Sequence, residues 1–437
     1  MLKNSVLIPS LIVAAMLAAC GKKEEAPAPA APAPAPAAPA ASAPPAAPAP
    51  APAPAAAAPA AGGGDKVRIG FITDMSSLYS DVEGKNGTLA IQMAIDDFGG
   101  KVLGKPIELL TVDHQNKPDI AASKAREWID TQGLSMVFGG TNSGVGLALA
   151  KVAAEKKRVY FNNGAASSAL TNEQCTPYTV HYAYDTVALA KGTGGAIVEQ
   201  GGKDWYFLTA DYAFGAALEG DTSKVVQAKG GKVLGNVKHP LNASDFSSFL
   251  LQAQNSKAQI LGLANAGGDT INAIKAAKEF GIGKTMKMAG LLVFVTDVHS
   301  LGLKNTEGLL LTTSWDWNLN DETRAFGRKF QEKTKRMPTD IQAADYSATM
   351  TYLKAVDAAK TTDADKVMEQ IKKTPIDDFY AKGTVRPDGR FVHDMYLMQV
   401  KSEAESKEPW DYYKVVAKLK GDEVFTTKEE SRCKLWK

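Results

Sequence analysis

Cysteine and histidine are scarce: 437 residues contain three of the first and five of the second. His114, His181, His239, His299 and His393 follow no metal-ligand spacing, and Cys175 and Cys433 stand far apart, so no zinc site and no other cofactor is expected. An excess of one charge is also missing, since 50 Lys and Arg against 48 Asp and Glu leave a net charge of +2. Such a balance excludes a DNA-steering basic surface, and no nucleic-acid partner is expected. The Gly-x-Ser-x-Gly elbow of hydrolases is absent. Gly283-Lys284-Thr285 has the ending of a phosphate loop, but Lys278 occupies the place of its first glycine, and a helical pattern rather than a strand precedes it. Asp211 and Asp269 could form a catalytic pair, although loop and capping roles are commoner for such residues.

What is present begins with Lys3, an apolar stretch over residues 6–17 and the sequence Leu17-Ala18-Ala19-Cys20. The stretch is shorter than the roughly 20 residues a membrane-spanning helix needs, and Pro9 interrupts it. It reads as a cleaved export signal over residues 1–20. The motif resembles a bacterial lipobox, which implies that Cys20 is acylated and anchors the chain to a membrane; an ordinary secretory peptide is the alternative. Gly21 and Lys22 lack the aspartate associated with inner-membrane retention, so both membranes stay open. Residues 21–65 form an Ala/Pro-rich tether that cannot build a core. At about 3.1 Å per residue it could hold the next domain on the order of 100 Å from the membrane.

The remaining chain exceeds the size at which single cores usually divide, so two lobes are expected. In an exported chain, Cys175 and Cys433 are predicted to pair, with two free buried thiols as the alternative. Closing so long a loop could contribute around 5 kcal/mol.

Apolar runs predict strands at 67–73, 107–113, 136–139, 159–161, 205–209, 232–237, 260–263 and 308–312. Helical periods fall at 84–98, 120–132, 145–155, 188–200, 215–228, 246–256 and 270–280. Alternation of this kind implies α/β architecture with doubly wound parallel sheets, whose ligands sit beyond the carboxyl ends of the strands. That rule selects the loops 73–79, 139–143, 162–167, 210–215 and 264–269, rich in small, hydroxyl and amide residues. Small residues let backbone approach a ligand, and free amides at helix starts suit a carboxylate. Helix capping is the ordinary alternative for each.

The stretch from Ile69-Gly70-Phe71 to Tyr79-Ser80-Asp81 resembles the type I periplasmic binding proteins of ABC importers, in particular the leucine/isoleucine/valine-binding branch. So do Asn116-Lys117-Pro118-Asp119, residues 139–146, the segment from Asp211 to Gly215 and the segment from Gly389 to Tyr396. The resemblance implies two α/β lobes joined by a three-crossover hinge, near Tyr184, Trp315 to Trp317 and Arg386 to Gly389, the last with turn chemistry of its own. Lobe one would hold residues 66–184 and 317–386, and lobe two residues 185–316 and 387–437. The family's carboxylate cradle falls on Asn142 and Ser143 with the amides of Gly164 and Ala166. Lobe two would add Tyr212, Phe214, Asn265 and Ala266. No acid stands among Leu291-Leu292-Val293-Phe294, where amino-acid binders place one, which puts an α-amino acid ligand in doubt. Tyr79, Tyr184, Trp317 and Tyr346 complete the candidate contacts, with core or hinge packing as the alternative for each. The implied protein is a monomeric, lipid-anchored periplasmic receptor that performs no chemistry. It would close on a small carboxylate-bearing solute, branched or aromatic, and present it to an ABC permease. An envelope sensor and a periplasmic hydrolase are the alternatives.

Overall fold

The structure, a computed structural model, describes residues 64–437. The signal segment, Cys20 and all but the end of the tether lie outside the described residues. Six strands build the first sheet: β1 (Val67–Thr73), β2 (Lys101–Val102), β3 (Lys105–Asp113), β4 (Met136–Gly139), β5 (Val159–Asn162) and β6 (Thr179–His181). Their order is β2-β3-β1-β4-β5-β6, parallel except for the β2–β3 hairpin. β1, β4 and β5 are buried almost throughout, as strands covered on both faces must be.

The second sheet uses β7 (Asp204–Ala210), β8 (Lys232–His239), β9 (Ile260–Ala264) and β10 (Lys287–Gly290) in the order β10-β9-β7-β8, all parallel. Two lobes of α/β type therefore exist, as expected. The strand predicted at 308–312 does not extend a parallel sheet. As β11 (Leu310–Thr313) it belongs to a separate antiparallel sheet, described below with its partners. Two more short antiparallel pairings join β12 (Ile376–Asp377), β13 (Lys382–Val385) and β14 (Phe391–Val392). β15 (Met395–Val400) and β16 (Tyr413–Leu419) pair with each other, and β15 runs antiparallel to β11. Periodicity marks a buried run as a strand but carries no partner or direction.

The helix predicted over 188–200 is also broken. It runs as Thr186–Leu189, a wider π-type turn Ala190–Gly194 and Gly195–Glu199, and the Thr193 hydroxyl bonds to Thr312 of β11 at 2.8 Å. Two long helices, Gly84–Asp97 and Asp340–Ala359, pack together on lobe one. Gly87 permits this approach, since a Cβ there would lie 2.6 Å from Asp345 Oδ2 and 3.0 Å from the Phe71 ring.

The chain passes between the lobes three times, after β6, after β11 and after β14. The turn Arg386 to Gly389 lies against the edge strand of lobe one: His181 N–H donates to Gly389 O at 2.9 Å, so the third passage follows it, at His393 and Asp394. Gly389 has φ +88°, and a Cβ would meet Thr179 O at 2.2 Å, which leaves room only for glycine. Arg390, fully buried, ties the passages together. Its guanidinium donates to Tyr182 O at 2.6 Å and to Phe391 O at 3.0 Å, and lies 3.6 Å from Asp185 and over the Phe425 ring. The predicted disulfide is present: Cys175 and Cys433 are bonded across 258 residues, with Cα atoms 5.7 Å apart.

Candidate functional site

The carboxyl ends of strands from both sheets point at one small cavity of about 240 Å³. Tyr79 follows β1, Thr141 follows β4, Gly164 and Ala166 follow β5, and Tyr184 stands at the first passage between lobes. Lobe two contributes Tyr212 and Phe214 after β7, Ala266 after β9, and Leu292 and Phe294 after β10. No charged side chain lines the cavity.

The two walls touch. Tyr79 OH and Tyr212 OH bond at 2.5 Å, and the Tyr184 ring lies 6.3 Å from that of Phe294. Tyr79 is held by its backbone N–H, which donates to Asp74 Oδ2 at 2.8 Å, and Tyr184 OH donates to Gly164 O at 3.3 Å. Burial raises the phenols of Tyr79, Tyr184 and Tyr212 above their ordinary range, so all three serve as neutral hydroxyls. Phe214 packs beside Tyr212 at 5.9 Å, and burial of both closes the lobe-two side. Among the described residues, the backbone N–H groups of Gly164 and Ala166 have no acceptor within the protein. They are the free donors of a wall that is otherwise apolar or aromatic.

Seven of the twelve expected contacts, Tyr79, Gly164, Ala166, Tyr184, Tyr212, Phe214 and Ala266, are thus brought together. Five are not. Asn142 caps the helix Ser143–Glu155, its side chain accepting from Gly144 N at 2.9 Å and Val145 N at 3.2 Å. Ser143 Oγ accepts from Ser167 N at 3.2 Å, behind the wall. Asn265 is bound on both sides, to His239 at 3.1 Å and Thr270 at 2.7 Å. Trp317 is buried in interlobe packing, with its indole N–H on Trp410 O at 2.9 Å and the Arg328 guanidinium 4.8 Å from its ring. Tyr346 donates to Asp97 at 2.8 Å and packs on Phe326 and Phe379, away from the cavity. For the asparagines and serine, local backbone groups outcompete a ligand; for the aromatics, the apolar interior does.

Asp211 and Asp269 do not form a pair facing the cavity. Asp211 meets Lys238 at 3.0 Å on the surface, while Asp269 accepts from Asn242 N at 3.2 Å and Ala243 N at 3.1 Å, and burial pushes its carboxyl up to about 6. Thr141, Leu292 and Phe294 line the cavity without having been singled out. Thr141 lay inside a strand-end loop already selected, so the topological rule alone could have found it. Among the described residues, no group of histidine, cysteine and acidic side chains could hold a metal ion. No described helix is long and apolar enough to cross a membrane.

A sequence profile described as periplasmic binding protein matches residues 66–406. A periplasmic binding protein from Burkholderia mallei superposes with a TM-score of 0.85 at 68% identity, over 85% of this chain and 100% of that one. A branched chain amino acid ABC transporter periplasmic ligand-binding protein from Burkholderia xenovorans LB400 superposes with a TM-score of 0.76 at 40% identity, over 85% of this chain and 100% of that one. In sequence, the chain is 23% identical over 356 residues to Leu/Ile/Val-binding protein homolog 6 of Brucella melitensis, covering 77% of this chain and 88% of the relative. Two α/β lobes meeting at a cavity built from their strand ends accord with these matches, and the chain belongs to the periplasmic binding protein family.

Proposed function

We propose that this protein is the solute-binding component of an ABC importer, closing its lobes on a compact carboxylate with a branched or aromatic body. The carrying observation is the composition of the cavity: aromatic and aliphatic walls, neutral hydroxyls, no charged side chain, and two unpartnered N–H groups at Gly164 and Ala166. Apolar walls with a few fixed donors are the usual make-up of a small-molecule site. Backbone amides can hold a carboxylate through charge-assisted bonds without a basic side chain. A volume of about 240 Å³ favours a small solute. The relative from Burkholderia xenovorans, described as a branched chain amino acid transporter component, supports the same assignment.

Binding rather than chemistry is its role in this reading. The body acts as a monomer in the periplasm, docks on a membrane permease, and is held to the membrane through acylated Cys20 and the Ala/Pro tether. Closure would turn lobe one, residues 66–184 and 317–386, against lobe two, residues 185–316 and 387–437. A thermal-shift screen of branched-chain amino acids, aliphatic and aromatic acids and short amides tests the ligand class. A true ligand at 100 times its Kd should add about 2.7 kcal/mol of stability. If amides raise the melting temperature and carboxylates do not, the carboxylate assignment fails.

A further inference from the structure

Behind the lobe-one wall lies an acid that the solute reading leaves unused. Glu83, just before the helix Gly84–Asp97, is fully buried, and its Oε2 accepts from the hydroxyls of both Thr73 and Thr141. Those two hydroxyl oxygens are 3.0 Å apart. Glu83 Oε1 has no hydrogen-bond partner among the described residues, and neither has Oδ2 of buried Asp345, whose Oδ1 accepts from Asn163 at 2.8 Å. Both carboxyl groups converge on Gly87, where a Cβ would lie 2.6 Å from Asp345 Oδ2 and 3.1 Å from Glu83 Cγ.

Two neighbouring carboxyl groups away from water do not both ionise. Burial and the Glu83 charge hold the Asp345 carboxyl well above the ordinary range, and burial with the nearby Asp74 pushes Glu83 up to about 7. Tyr160 and Tyr184 are the other titratable groups that sense Glu83, and both stay neutral. At neutral to alkaline pH the pair therefore holds one proton on the Asp345 side and one negative charge on Glu83. A threonine hydroxyl has a single proton. With that proton donated to Glu83, Thr141 turns lone pairs toward the cavity it lines.

Thr141 also abuts Gly164, since a Cβ on Gly164 would lie 2.9 Å from Thr141 Cα. A carboxylate on the Gly164 and Ala166 amides would place its neighbouring carbon beside those lone pairs. We propose that Glu83, acting through Thr141, selects solutes that carry a hydrogen-bond donor, a hydroxyl or an ammonium, on the carbon next to the carboxylate. Glu83 is a positioning residue: it orients Thr141 and supplies, one layer back, the negative charge that residues 291–294 lack. This inference rests on the solute reading above.

Calorimetric titration of 2-hydroxy-4-methylpentanoate, leucine and 4-methylpentanoate, three acids of one skeleton, tests it. At about pH 8, where the carboxylates of all three are ionised, the first two should bind about tenfold tighter than the third, the worth of one hydrogen bond. Glu83→Gln keeps an amide oxygen for both threonines and should keep this preference, whereas Glu83→Met offers no acceptor and should lose it. As pH falls through about 7, the pair takes a second proton that Glu83 must donate to a threonine. The preference should then decline in the unaltered protein and stay level in Glu83→Gln. If Glu83→Met does not fold, these two pH profiles decide. Equal binding of all three acids, or the same pH response in Glu83→Gln, overturns this inference alone. Failure of every acid to bind overturns the carboxylate reading and takes this inference with it.

Discussion

The hinge and the cleft bring the same two lobes together by opposite means. At the hinge, a fully buried guanidinium on Arg390 meets Asp185 and two backbone carbonyls, and a disulfide fastens the C-terminal tail to the loop before β6. At the cleft, uncharged rings face each other and a single pair of hydroxyls, Tyr79 and Tyr212, bonds across the gap. The hinge is held by bonds that exist with or without a solute. The cleft has few of its own, so a bound solute can decide whether it stays shut.

That difference can be attacked from either side. Reducing the Cys175–Cys433 bond, or replacing both residues with serine, should remove about 5 kcal/mol of stability by the loop-entropy argument. Denaturant midpoints with and without reductant measure it, and a loss below about 1 kcal/mol would mean that the tail's other contacts already hold it. Those contacts include Arg386 over the Trp436 ring at 3.9 Å and Lys191 on Phe425 O at 3.1 Å.

Arg390→Met comes next. It leaves Asp185 buried without its counter-charge and should cost about 3–5 kcal/mol. Unchanged unfolding would show that the capping bond from Ala188 N, 2.9 Å from Asp185 Oδ1, is enough to hold that acid.

The smallest effect belongs to the cleft. Tyr212→Phe removes the hydroxyl bridge to Tyr79, worth about 1 kcal/mol. Solute affinity should drop about fivefold while the unfolding midpoint of the free protein hardly moves. A large stability loss without an affinity change would place Tyr212 among the structural residues instead.

How far the site could be read in advance depended on the kind of interaction each residue makes. Tyr79, Gly164, Ala166, Tyr212, Phe214 and Ala266 follow buried strands, and the rule that ligands gather at strand ends needs only the strand positions. Asn142 and Asn265 occupy equally promising loops, yet each found a nearer partner: the backbone at a helix start for one, His239 and Thr270 for the other. Trp317 and Tyr346 show a different limit. An aromatic residue suits a core as well as a pocket, and only packing told Trp410 and Phe326 from a solute as the neighbour. Glu83 gave no signal as a site residue, because its meaning comes from Thr141, 58 positions on, and from Asp345 on a helix far later in the chain.

By itself the sequence determined the alternation of buried strands and amphipathic helices, the small-residue loops, the pair of distant cysteines and the absence of charge bias. These are local or compositional properties, written in nearest neighbours. Tertiary structure decided which loops face one another, how β11 pairs, where the third passage between lobes lies, and that a buried acid pair stands behind Thr141. Each of these depends on contacts between residues far apart in the chain, whose energies appear only when the lobes are folded and water has been excluded between them.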